Sequence, residues 1–229
     1  MKGIFAIAAG IFALPGIAFA ASKTYTFGSF ESVSVAAGIA ADIKIGAPQS
    51  VVAETDGTNF DDLWMSVEGN VLRIGRPPGN WFALHHPDYK VHIVMPKLYS
   101  LAASSAASAR VDGSPQGDFV VAASSSGQVS LPALKGANVS AHASSGGDVA
   151  IGGSCSSLIV SASSGGDVKA DGLKCETVVA HASSGGDVWA YASKSIEGHA
   201  SSGGGIRVDG KPAVVQVGQS SGGTVFVAK

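Results

Sequence analysis

The sequence predicts an all-β chain wound into a right-handed parallel β-helix, with coils of 18–20 residues behind an irregular N-terminal capping region. Three observations predict it. Ser-Ser-Gly-Gly-Asp-Val occurs unchanged at Ser144–Val149, Ser163–Val168 and Ser183–Val188, with looser copies at Ser124–Val129, Ser201–Ile206 and Ser220–Val225 and a degenerate start at Ser104. The serine pairs step by 20, 20, 19, 20, 18 and 19 residues. A fixed period of this size marks a solenoid, each repeat one coil stacked on the last. Ahead of each pair, apolar or small residues alternate with more polar ones, the pattern of a half-buried strand. The right hand follows from the crossover rule for parallel strands.

The chain opens with Met1-Lys2, the apolar run Ile4–Leu14 and the ending Ala18-Phe19-Ala20. A short basic start, an apolar core and an A-x-A ending describe a signal peptide over residues 1–20. The apolar run is too short to span a bilayer. No Cys follows the cleavage site to carry a lipid, and no later stretch reads as a membrane span. The mature chain, 21–229, is therefore expected to be a single exported domain, in the periplasm or at the cell surface.

Within it, residues 21–99 alternate less regularly, at Val33 and Val35, Ile43 and Ile45, and Val91 and Ile93. They read as longer irregular coils that cap and start the stack. Arg76–Asp88, with Pro77-Pro78-Gly79 and Pro87, reads as an extruded loop. Residues 100–229 form the regular coils. Inward positions are filled by sets such as Val139, Ala141, Ala143 and Leu158, Val160, Ala162. The second serine of each pair shares that parity, so a buried ladder of bonded hydroxyls is expected. Gly-Gly then frees the backbone for a corner, and a second strand starts at Val149, Val168, Val188, Ile206 or Val225. Each coil thus holds at least two short strands separated by Gly-rich corners. Seven coils about 4.8 Å apart would stack to roughly 34 Å. Nothing caps the sequence around Val225-Phe226-Val227, which predicts homo-oligomers through the solenoid ends.

Composition narrows the partners. Charged residues make up 14% of the chain and glycines number 31, which suits tight turns rather than long solvated helices. The net charge is −2, one unit lower without Lys2, which argues against a nucleic-acid partner.

The chain resembles the bacterial family of β-solenoids described as auto-transporter adhesin head domains of the GIN type. The resemblance rests on Phe30–Val35, Ala41–Ile45, Val67–Ile74, the segment Val91–Leu98 with Met95-Pro96-Lys97-Leu98, and the Ser-Ser-Gly-Gly-Asp-Val coils. It covers nearly all of the mature chain. It implies a secreted or envelope β-solenoid, and it carries over no catalytic residues.

Cys155 and Cys175 each lie eight residues before a repeat serine, so they should stack on adjacent coils. In an exported protein this favours a disulfide, with free buried thiols the alternative. Asp148, Asp167 and Asp187 fall in one corner column. Carboxylates in file repel; a calcium ion would relieve them. The simpler reading, preferred here, has each accept backbone N–H bonds in its turn. Two residues further on comes an outward column of Ala150, Lys169, Trp189, Arg207 and Phe226. With Asp167 and Asp187 it offers an aromatic platform beside charges, the chemistry of a sugar site, against the plainer reading of a scattered solvated face. His142, His181 and His199 share another column without a third metal ligand in register. Trp81, Phe82, His85 and His86 in the extruded loop make a second candidate site, or else pack the loop on a flank.

No nucleophile-elbow, Walker, zincin or C-x-x-C motif is present, and no cofactor or metal is implied. The leading expectation is a non-catalytic envelope or surface protein that adheres through its repetitive face to a glycan or a cell-surface protein. One alternative is a polysaccharide-binding or polysaccharide-cleaving β-helix using Asp167, Asp187, Lys169 and Arg207. The other is a structural protein that polymerises end to end.

Overall fold

The computed structural model describes residues 21–77 and 87–228. These form seventeen strands in one sheet system, with no helix among the described residues. In the N-terminal part they are β1 (Ala21–Tyr25), β2 (Ser32–Val35), β3 (Ala40–Ile45), β4 (Ser50–Thr55), β5 (Trp64–Glu68), β6 (Val71–Gly75) and β7 (Tyr89–Met95). Then come β8 (Ser100–Ala103), β9 (Ser108–Asp112), β10 (Gln116–Ser124), β11 (Gln128–Ser144), β12 (Asp148–Ser163) and β13 (Asp167–Ser183). The last four are β14 (Asp187–Ala200), β15 (Gly205–Asp209), β16 (Val214–Gln219) and β17 (Thr224–Val227).

Parallel pairing stacks these strands into a β-solenoid with two long faces. One face runs β5, β6, β2, β8, β10, the second halves of β11 to β14, then β16. The other runs β1, β4, β7, β3, β9, the first halves of β11 to β14, then β15 and β17. In the regular coils the register is the one the repeat demands: Asp148 pairs with Asp167, Val149 with Val168 and Ser163 with Ser183. Alternate residues of each strand enter a narrow core of Val, Ala, Leu and Ile, among them Val160, Ala180, Val168 and Val188. Larger buried side chains occur toward the N-terminal end, Phe30 and Met95 in the irregular region and Leu101 and Phe119 in the coils that follow it.

Each regular coil has one tight corner, built by the serine–glycine segment. Ser145 and Gly146 both have positive φ, 51° and 71°, and the Gly147 N–H donates to the Ser144 carbonyl at 2.9 Å. Positive φ at both central positions is the requirement of a type I′ turn. The corners stack through further backbone bonds, Gly146 N–H to Ser164 O at 3.2 Å and Gly165 N–H to Ser184 O at 3.2 Å. The expected inward serine ladder is therefore absent. Ser145, Ser164, Ser184 and Ser202 are exposed, because a two-residue turn ends the period-2 alternation that their parity assumed. The second glycine is buried instead, and a Cβ on it would run into the backbone of the neighbouring coil.

The other corners also differ from the expectation. Rather than Gly-rich breaks between short strands, they are bends inside continuous strands of 14–17 residues, at register shifts such as those between Leu131 and Leu134 and between Ala150 and Gly152. A bulge bends a strand without ending its ladder.

The N-terminal region caps the stack, but out of chain order. The β2–β3 coil is inserted between the β6–β7 coil and the β8–β9 coil. Beyond β6 and β7 lie β5, β4 and β1, all antiparallel to their neighbours. At the opposite end β16 pairs only with β14 and β17 only with β15 among the described strands. Val215 and Val217 occupy inward positions there yet are 47% and 43% exposed.

Candidate functional site

The outward column expected from the repeat is present on the second face. Lys169, Trp189, Arg207 and Phe226 are in direct register across β13, β14, β15 and β17. Hydrogen-bonded neighbours stand about 4.8 Å apart, so their side chains touch. The Lys169 Nζ lies 5.9 Å from the Trp189 ring centre and the Arg207 guanidinium 5.2 Å from that of Phe226. Each cation thus rests on an aromatic face, an attraction of about 0.5–1 kcal/mol at such exposed sites. Beside the column, Lys174 sits 4.1 Å from the Tyr191 ring. Trp189 itself is half-buried by these neighbours, while Phe226 is 56% exposed.

The column extends further than the repeat suggested. From Lys169 it continues through Ala150, Ser130, Arg110, Asp42 and His92. Arg110 stands six residues after Ser104, the offset that places Lys169 after Ser163 and Trp189 after Ser183, so this position was readable in the degenerate repeat. Asp42 and His92 carry no such signal, since β3 and β7 lie outside the repeat. Asp42 pairs with Lys90 at 2.8 Å and faces His92 at 3.8 Å, and His92 in turn meets Glu54 at 3.3 Å.

Flanking the column are the carboxylates of Asp148, Asp167 and Asp187, half-buried and in register. Burial raises the Asp167 pKa, and repulsion from Asp148 and Asp187 raises it further; Lys169 and a bond from the Asp187 backbone oppose the rise. That backbone bond comes from the next coil rather than from the turn that carries Asp167. Among the described residues no group of three His, Cys, Asp or Glu is disposed to hold a metal ion. A raised native pKa means that the folded chain holds this proton to higher pH than the unfolded chain. The contribution of Asp167 to stability therefore falls as pH rises through that native pKa. Asp167→Asn should melt slightly above the wild type at pH 7, by less than about 1 kcal/mol after solvent screening, with the gap closing in acid. Scanning calorimetry at both pH values checks this, and a lower melting temperature at pH 7 would contradict it.

On the opposite face, His142 bonds Ser140 at 2.8 Å and Ser161 at 2.7 Å, whereas His181 and His199 stand in register on adjacent strands. Trp81, His85 and His86 lie outside the described residues, as do residues 1–20. The base of their loop is described. Arg76 donates to the carbonyls of Ala37 at 3.1 Å and Pro87 at 2.7 Å, pairs with Asp62 and lies over the Tyr89 ring at 5.0 Å. Cys155 and Cys175 pair in register and form a disulfide, with their α-carbons 4.5 Å apart.

A stacked parallel solenoid with a cation–aromatic strip along one face places the chain among extended β-proteins that present a flat side-chain surface. The chain belongs to the family "Putative auto-transporter adhesin, head GIN domain", whose model matches residues 29–212. Solved structures share the fold. A "putative adhesin" from Bacteroides fragilis superposes with a TM-score of 0.80 at 15% identity, over 91% of this chain and 96% of that one. A second, from Parabacteroides distasonis, gives 0.72 at 19% identity over the same shares. A "putative lipid binding protein" from P. distasonis gives 0.66 at 16% identity, again over 91% and 96%. No curated protein matches the chain.

Proposed function

We propose that this is an exported, non-catalytic surface-binding protein that adheres through the strip on its second face. Residues 1–20 act as its signal peptide, and 21–229 as one domain in the periplasm or on the cell surface. The observation that carries the reading is the register of Lys169, Trp189, Arg207 and Phe226 along four adjacent strands, with cations seated on aromatic rings. Such a strip presents apolar ring area and fixed charge to a flat partner, and aromatic and arginine side chains dominate the energetics of contact surfaces. The adhesin family membership and the disulfide support export and surface contact. The strand face around Asp167, Asp187, Lys169 and Arg207 is an open row, its two cations exposed and its two carboxylates half-buried, rather than an enclosed cleft, which favours binding over cleavage.

Beads coated with the chain should adhere to cells, and Trp189→Ala with Phe226→Ala should cut adhesion about tenfold or more, since loss of an aromatic anchor costs on the order of 2 kcal/mol. Equal adhesion by the double variant would remove the strip from the reading. Antibody labelling of intact against lysed producing cells tests the location. Labelling only after lysis would place the protein inside the envelope and end the surface-adhesin reading.

A second reading concerns the open end. Val215 and Val217 expose inward positions beside the unpaired edges of β16 and β17, whose sequences carry no charge. The N-terminal end is closed by antiparallel strands, and its outermost ones bear Lys23 and Glu68. Unpaired apolar edges recruit other chains, and among the described strands the outermost ones without a charged residue lie at this end. This favours a closed pair over an endless polymer. Light scattering over a concentration series should stop at the dimer mass; longer species would restore the polymer, and a monomer throughout would dismiss association.

A further inference from the structure

We propose that the strip continues into a subsite for a carboxylate-bearing polysaccharide, seated between Arg110 and Lys169. The proposal rests on the adhesive-strip reading above and names the chemistry of its ligand. Between these two cations the outward column carries only Ser130 and Ala150. Short side chains between long ones leave a depression of ≈ 390 Å³, floored by Ser130 and Ala150 and bordered by Arg110, Gln128, Asp148 and Lys169. A second depression of ≈ 440 Å³ adjoins it, sharing Arg110 and Asp42 and reaching His92. The two together make a shallow trough along the stack, which leads on to the Trp189 platform.

The charges in this trough are unequal in availability. Asp42 is already held by Lys90. Among the described residues neither Arg110 nor Lys169 has an ion-pair partner within 4 Å; Lys169 lies against the Trp189 ring and feels the Asp167 carboxylate two residues before it. A guanidinium stays charged at every pH the protein meets, and its planar fork fits a carboxylate with two parallel bonds. Arg110 and Lys169 are three strand steps apart, about 14 Å. The strand step is close to the length of one sugar residue in an extended polysaccharide, so the first and fourth rings of a stretch of about four place their carboxylates at Arg110 and Lys169. Ser108, Gln128 and Ser130 offer hydroxyl and amide groups to ring hydroxyls, and Asp148 accepts from them. Trp189 covers the apolar face of the next ring. The net charge of the whole chain is negative, so uptake of an acidic polymer would report this local trough rather than a general attraction.

The test is affinity electrophoresis of the full chain in gels containing polygalacturonate, with dextran as neutral polymer and polyglutamate as acidic non-sugar. Polygalacturonate should retard the chain, and dextran and polyglutamate should not. Arg110→Gln and Lys169→Gln should each weaken retardation about tenfold or more, the scale of one charge-assisted hydrogen bond. Both substitutions are on exposed positions, and an unchanged melting temperature confirms that the fold is intact. Equal retardation by dextran or by polyglutamate, or an unaltered Arg110→Gln variant, would overturn the proposal. If polygalacturonate has no effect while wild-type beads still adhere to cells and Trp189→Ala abolishes it, the subsite fails and the adhesive strip survives. If adhesion is absent as well, both fail.

Discussion

Gly186→Ala is expected to destabilise the protein by about 3 kcal/mol, far more than a glycine-to-alanine change at an ordinary strand site. A Cβ at Gly186 would lie 2.5 Å from the Ser163 nitrogen and 2.6 Å from the Ala162 carbonyl carbon. Both are backbone atoms of the neighbouring coil, so no side chain can turn aside to make room. The Gly186 N–H closes its own corner on Ser183 O at 2.9 Å, and Gly166 O receives the Asp187 N–H at 3.2 Å. Separating the coils to admit a methyl group would stretch this ladder. The adjacent Gly185 provides the contrast. Its φ is +72° but nothing lies within 4 Å of a Cβ placed there, and asparagine tolerates this conformation well. Gly185→Asn should cost about 1 kcal/mol or less. For a domain of this size the two variants should differ in melting temperature by roughly 4–8 °C. Matching melting curves would show that the coils do not depend on the close approach. The protein holds an internal comparison at Ala107, the same place in the first regular corner, where a real Cβ is buried against the β2–β3 coil. The demand for glycine therefore begins where one regular corner stacks on another.

The same corner shows how far the sequence could be read. The stacking, the register of Asp148 with Asp167 and Asp187, the disulfide and the outward column all follow from near-identical residues at a fixed period, which leaves one way to superpose the coils. The buried serine ladder did not follow, because parity carries no information through a turn with two positive φ values. Nor did the insertion of β2–β3 between β6–β7 and β8–β9. The pairings of Ser32 with Val71 and with Ser100 join segments that share no repeat, and alternation alone is satisfied by any order of strands. In the candidate site, Lys169, Trp189 and Arg207 were legible from their offset within intact repeats. Arg110 was legible from the same offset, though in a repeat whose serine–glycine segment has decayed. Asp42 and His92 reach the column through tertiary pairing alone.

Removing the disulfide is the second large effect. Reduction, or replacement of both Cys155 and Cys175 by Ala, should lower stability by about 3 kcal/mol on the chain-entropy account, since the bond closes a loop of 20 residues. That is roughly 6–12 °C in melting temperature. The native structure should hardly change. Cys155 and Cys175 are already neighbours in the β12–β13 ladder, and the flanking pairs Ser154 with Lys174 and Ser157 with Thr177 remain without the bond. The loss therefore falls on the unfolded chain, which gains the freedom of one whole coil. Circular dichroism at 25 °C should be the same for oxidised and reduced protein while their thermal midpoints separate. A reduced form that loses its strand signal at 25 °C would mean that the bond holds the coils together rather than restraining the unfolded state. An unchanged midpoint would mean that the ladder alone constrains this segment, leaving the bond idle. The two alanines also separate covalent from packing effects. Both cysteines are buried, at 7% and 1% exposure, so the double variant loses two sulfur atoms from the core as well as the bond. Its midpoint should fall below that of the reduced wild type by the further cost of that small cavity.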